Sequence, residues 1–161
     1  MRRKLIFLLL VSTLLSFGQT TKKLQLKTSI YSGVYSFGDI RKVYGGKVIV
    51  YAETDSTILF YIDIYTGNIG QRYCRLKIQN GKGIYYSKED SDEKGCKWLI
   101  TIIDRTLTIK TLDNCYECEF GGNVIADNKY ILKRDTKPEY FIDGHGHKIF
   151  FNKTRPENYL R

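Results

Sequence analysis

Cys115 and Cys118 stand three residues apart in CYECEFGGNVIADNKYI, and a C-x-x-C pair can do two kinds of chemistry. As a redox dithiol it needs a lowered thiol pKa, set by a helix N-terminus or by positive neighbours. As half of a zinc site it needs a second cysteine pair or a histidine pair. Neither condition is met. Tyr116 and Glu117 fill the gap, Glu119 follows, and the other cysteines, Cys74 and Cys96, are far apart. An even number of cysteines in an exported chain reads as two disulfides. A Cys115–Cys118 bridge would close a strained loop, because residues three apart on a strand face opposite ways. Two connectivities stay open: Cys96–Cys118 with Cys74–Cys115, or Cys74–Cys118 with Cys96–Cys115.

The segment DGHGH alternates Asp143, His145 and His147, so an extended backbone would point all three one way and could ligate a metal. The opposing reading is a glycine-rich hairpin turn between EYFI and KIFF, and that is the expectation here, with no cofactor. The acidic run Glu89, Asp90, Asp92 and Glu93 reads as a solvated loop tip. No G-x-S-x-G elbow accompanies the serines, and no phosphate-cradling glycine loop precedes a helix. The residues give no convincing catalytic constellation. Asp63 is more suggestive. It sits mid-strand on the face of Tyr61 and Tyr65, where an acid flanked by two tyrosines could orient a sugar or another polar ligand. Its plain alternative is a cross-strand pair with a Lys or Arg.

These residues must be positioned by strands. TILFYIDIYT (57–66) places Ile58, Phe60, Ile62 and Ile64 on one face, the better core face. Leu59, Tyr61, Asp63 and Tyr65 fall on the other, a rim or ligand-facing side. Further strands are read at 30–38, 47–53, 72–80, 84–88, 96–104, 106–112, 129–134, 139–142 and 148–151. Gly33 allows a bend, NGKG (80–83) signals a hairpin, and Asp127-Asn128 makes a turn. The last residues read as a tail laid on the surface. No helical period survives three turns. About eight to ten short strands with turns at regular spacing predict a single all-β domain, an antiparallel β-barrel or sandwich stapled by disulfides.

The chain begins MRRKLIFLLLVSTLLSFGQT, a basic start, a short apolar run and small residues at a cleavage site. This predicts a signal peptide at 1–18, a flexible leader at 19–29 and one β domain at 30–161. The destination is the periplasm or the exterior. No later segment is apolar and long enough to span a membrane. Loss of Arg2, Arg3 and Lys4 lowers the balance from +9 to +6, 23 basic against 17 acidic residues. The charges are scattered, with no clustered footprint for nucleic acid, so nucleic acid is excluded as a partner. Tyrosine is abundant, at 13 residues, which suits pleated, half-buried surfaces.

SGVYSFG (32–38), DSTILFYIDI (55–64), GCKW (95–98), CEFGGNVIADNKY (118–130) and YFIDGHGHKIFF (140–151) together carry a family pattern. The chain resembles a family of exported, uncharacterised small β proteins of Bacteroidetes-type bacteria, with a C-x-W strand, a C-x-F-G turn and a closing Tyr strand. The resemblance implies that Cys96 and Cys118 are the matching pair and that Cys74 and Cys115 are additions. Asn128 replaces the family's closing glycine, and Asn tolerates the same positive φ. The resemblance brings no activity. A fold-level likeness to small periplasmic lysozyme inhibitors is weaker, because an inhibitor of basic enzymes is better served by neutral or acidic charge.

The expectation is therefore an exported, non-enzymatic β-barrel that binds a protein or a polar or glycan ligand. The alternative is an inhibitor or immunity-type protein that blocks a secreted or periplasmic enzyme with the acidic loop at 89–93.

Overall fold

The structure is a computed structural model that describes residues 28–39, 44–87, 95–116 and 118–159. The expected signal peptide and the acidic residues Glu89, Asp90, Asp92 and Glu93 lie outside the described residues. The described chain opens with a single 3₁₀ turn, Thr28–Tyr31, whose Thr28 is already buried, so the packed domain reaches two residues into the expected leader.

Ten strands follow: β1 (Gly33–Asp39), β2 (Tyr44–Ala52), β3 (Thr57–Tyr65), β4 (Ile69–Lys77), β5 (Lys82–Ser87), β6 (Cys96–Ile103), β7 (Thr106–Tyr116), β8 (Asn128–Arg134), β9 (Tyr140–Ile142) and β10 (Lys148–Phe150). The first eight form one antiparallel sheet in the order β4-β3-β2-β1-β8-β7-β6-β5. Every neighbour is a sequence neighbour except β1 and β8, which pair from Val34↔Arg134 to Ser36↔Ile131 and so curl the meander into a barrel. Gly33 makes this closure possible. Its φ of +151 suits glycine, and a Cβ there would collide with the Arg134 carbonyl. The register slips between Val34 and Tyr35, the bulge that bends β1.

The barrel has a seam between β4 and β5. Asn80 and Gly81, at φ 50 and φ 74, make the tight turn that joins them. Beyond it the two edges meet in the isolated bridge Gln79↔Lys82.

Alternation fills the inside. Ile58, Phe60, Ile62 and Ile64 of β3 point inward and are buried, as the period of two predicts. Cys74 and Leu76 of β4, Trp98 and Ile100 of β6, and Tyr130 of β8 join them in one core. Eight strands enclose only enough space for side chains or one small ligand, and here side chains occupy it.

The outer face of β2, β3 and β4 is covered as well. The β9–β10 hairpin lays Phe141 and Phe151 on Ile49, Leu59, Tyr61 and Tyr73, a second buried cluster. Phe141 stacks on Tyr61 with centroids 3.9 Å apart, and Phe151 stacks on Tyr51 at 5.2 Å. The expected surface tail is pinned over the same face. Tyr73 donates to the Thr154 carbonyl at 2.9 Å, Arg75 bridges Glu53 at 3.0 Å and Glu157 at 2.5 Å, and Arg155 reaches Glu53.

Candidate functional site

The cysteines settle first. Cys96 and Cys118 are joined, with Cα atoms 4.6 Å apart, as the family resemblance implies. The second bridge is corrected: Cys74 and Cys115 are buried thiols. The reason is local. Trp98 pairs with Thr111 and Cys96 pairs with Tyr116, so two steps along β6 match five along β7. The extra residues bulge out, with Asp113 and Asn114 at φ 54 and φ 56. The bulge takes Cys115 out of the inward alternation, and its Sγ turns back to the Asp113 carbonyl at 3.7 Å. Cys74 stays inside the barrel, on the inward face of β4.

The bridge anchors a plug. Residues 118–126 fold over one end of the barrel and put Phe120, Val124 and Ala126 against the core. Gly70 lies beneath, where a Cβ would stand 2.7 Å from both Phe120 and Val124. Two hydrogen bonds tie the plug to the β3–β4 turn and the start of β4: Gly121 N–H donates to the Ile69 carbonyl at 2.9 Å, and the Asn68 side-chain Nδ2 donates to the Gly122 carbonyl at 2.7 Å. Arg72 faces inward beneath it, nearly buried. Its Nε donates to Tyr85 Oη at 2.9 Å across the open seam, and its guanidinium donates to the Cys118 carbonyl at 2.9 Å. Burial opposes its charge, but Tyr85, Cys74 and Glu119 outweigh that, so it stays a cation. Side chains close the seam where backbone bonds do not.

The expected ligand face, Tyr61, Asp63 and Tyr65, is on the outside of the barrel, the face that the β9–β10 hairpin covers. Tyr61 is fully buried beneath Phe141. Asp63 pairs with its cross-strand neighbour Lys47 at 2.9 Å and accepts from Gln71 Nε2 at 2.9 Å. The cross-strand alternative is the one realised. Tyr65 is half-buried at the strand end.

Asp143, His145 and His147 form the turn of the β9–β10 hairpin. Asp143 Oδ1 accepts from the backbone N–H of His145 at 2.9 Å and of His147 at 2.8 Å, while Oδ2 lies 3.3 Å from His147 Nδ1. Burial raises the Asp143 carboxyl, but these two backbone bonds and the His147 charge outweigh it and hold it below its ordinary value. Its lone pairs serve the turn.

The His145 turn borders a cleft of about 210 Å³ with Gln71 and Tyr159, and two larger clefts lie elsewhere. Between Arg134 and Tyr140 the chain crosses the barrel as a strap, with Pro138 buried and Lys137 and Glu139 exposed. Two clefts share Lys137, Pro138 and Glu139 as a common wall. One, of about 500 Å³, is completed by Tyr51, Phe150, Asn152 and Lys153. The other, of about 460 Å³, reaches Lys47, Ile49, Arg134 and Tyr140. Lysines lie on the rings: Lys137 Nζ is 4.1 Å from the Tyr51 centroid, Lys148 is 3.7 Å from Tyr140, and Lys153 is 5.0 Å from Phe150.

No protein-family model, no curated protein and no solved structure matches this chain. The reading of the clefts rests on their own chemistry. They combine ring faces, an amide, one carboxylate and several ammonium groups. Such groups are able to form hydrogen bonds and ion pairs with polar atoms. The sequence hid it because its residues come from β2, the strap and the final turn, which only the folded hairpin brings together. The signal that was available is the spacing of Lys137, Tyr140, Lys148, Phe150 and Lys153, basic and aromatic residues alternating near the C-terminus.

Proposed function

We propose that the protein is an exported, non-catalytic β-barrel that binds a polar ligand on its outer layer, in the clefts on either side of the 134–140 strap. One observation carries this reading. The barrel interior is filled by side chains, while the covering hairpin builds two clefts of ligand size on the outside. The Cys96–Cys118 bridge fits an oxidising compartment, and so does the signal peptide expected at 1–18.

The test is an NMR screen of the oxidised domain against soluble oligosaccharides, acidic and neutral, and short peptides. A ligand should shift the amides of 134–140 and 148–153 and leave those of β6 and β7 in place. Shifts confined to the plug at 118–126 would move the site to the barrel mouth. Conversion of the ligand during the titration would overturn the non-catalytic assignment.

A further inference from the structure

The two clefts gather exposed cations beside ring faces, although Lys47, on the wall of one of them, is paired with Asp63. Arg75, Arg155, Lys97, Arg105 and Lys47 each have a carboxylate within ion-pair distance. Arg134, Lys137, Lys148 and Lys153 have none among the described residues, and neither do Lys77, Lys82, Lys110, Lys129 and Lys133 elsewhere; Lys137, Lys148 and Lys153 stand apart by the ring each lies over. Arg134 and these three lysines are exposed, and all four belong to the strap or to the hairpin beside it. Arg134 lines one cleft, Lys153 the other, and Lys137 both. Lys148 sits between Tyr140 and Phe150, which wall one cleft each.

Unpaired cations at separate points along a track suit a ligand with repeated anionic groups. Lysines over rings are held in place by the cation–π attraction, so an incoming acid meets ammonium groups that are already ordered. Glu139 and Asn152, on the cleft walls, supply an acceptor and an amide that pair with hydroxyls. A bilayer would instead meet a convex or flat face with protruding apolar groups, and these clefts are concave.

We infer that the ligand is an acidic oligosaccharide, a chain of sugars bearing carboxylates or sulfates, that crosses the strap and fills both clefts. This rests on the binding reading above and adds the ligand's class and its length.

The test is calorimetric titration of the full oxidised domain with an oligogalacturonate dimer, tetramer and hexamer. Cello-oligosaccharides of the same lengths serve as neutral controls, and phosphatidylglycerol vesicles as a membrane control. Variants are Lys137→Gln with Lys153→Gln, and Lys110→Gln, an exposed residue of β7 outside the clefts. Affinity should rise from dimer to hexamer, weaken with added salt, and fall about tenfold in the double variant. Lys110→Gln should leave it unchanged. Equal binding of the neutral chains would overturn the acidic class and leave the clefts as a sugar site. An equal loss with Lys110→Gln would reduce the effect to net charge and overturn the site. Vesicle binding without uronate binding would replace the glycan with a membrane surface. No binding of any probe would overturn both the ligand class and the binding reading.

Discussion

Two tyrosines with opposite bonding, Tyr85 half-buried and Tyr61 buried, show how a hydroxyl is valued in this protein. Tyr85 Oη accepts from the charged Arg72 at 2.9 Å and helps close the seam between β4 and β5. Tyr61 Oη is buried with no hydrogen-bond partner among the described residues. A hydrogen bond to a charged group contributes about 1.5–3 kcal/mol, whereas an unsatisfied buried hydroxyl costs free energy and loses little when removed. Tyr85→Phe should therefore lower stability by about 2 kcal/mol in urea denaturation. Tyr61→Phe should be neutral or stabilising, because the ring and its stack on Phe141 are kept. A loss of ligand affinity in Tyr61→Phe, with stability unchanged, would restore Tyr61 to the binding face. At this scale the sequence placed the residues and missed their surroundings. The period of two put Tyr61 and Asp63 opposite the core of β3, which is where they are. It carries no information on what lies over that opposite face. Leu59, apolar on the same face, was the one local sign that the face would be covered.

The elements show which constraints are local and which are not. The hairpin turns at Asn80-Gly81 and at 143–147 were legible because turn chemistry is set by neighbours in the chain. The seam between β4 and β5 was not legible, because closure at β1 and β8 depends on a bulge and on contacts a hundred residues apart. The cysteines divide in the same way. Two bridges fit the count, but the bulge at 112–115 takes Cys115 away and leaves one. The plug is the element that depends on that one. In the chain-entropy model, a bridge across a 22-residue separation contributes about 3 kcal/mol. Native protein should resist a thiol alkylator. Denaturation without reductant should expose two reactive thiols, Cys74 and Cys115, and denaturation with reductant should expose all four. Mass spectrometry counts them directly. Zero modifications without reductant would mean that a second bridge exists. Cys96→Ala with Cys118→Ala should lower stability by about that 3 kcal/mol and speed amide exchange first at 118–126.

The molecule as a whole holds its tyrosines neutral, and this sets its alkaline limit. Burial raises Tyr35 to about 12, with Arg105 lowering it and Tyr31 raising it slightly, from an ordinary 10.0. Burial raises Tyr61, Tyr73, Tyr85 and Tyr130 further still. Each keeps its proton in the folded state at a pH where the unfolded chain has lost it. Stability from these groups is then fully present below pH 10 and falls as pH rises toward the folded values. Tyr35 alone accounts for a loss of about 2–3 kcal/mol between pH 10 and 12. With five such groups the unfolded state is short by up to five protons, a slope of up to about 7 kcal/mol per pH unit. Two units of that slope, up to about 14 kcal/mol, use up most or all of the usual margin of about 5–15 kcal/mol. The β-sheet circular dichroism should therefore collapse in one cooperative step below about pH 12. Absorbance at 295 nm should show Tyr35, Tyr61, Tyr73, Tyr85 and Tyr130 ionising only in that step. Tyr35→Phe should move the step to higher pH, since it deletes one of the protons being withheld. The other outcome, all tyrosines ionising while the sheet signal persists, would mean that water reaches the barrel interior. The filled barrel would then be wrong, and a site inside it would have to be considered in place of the clefts.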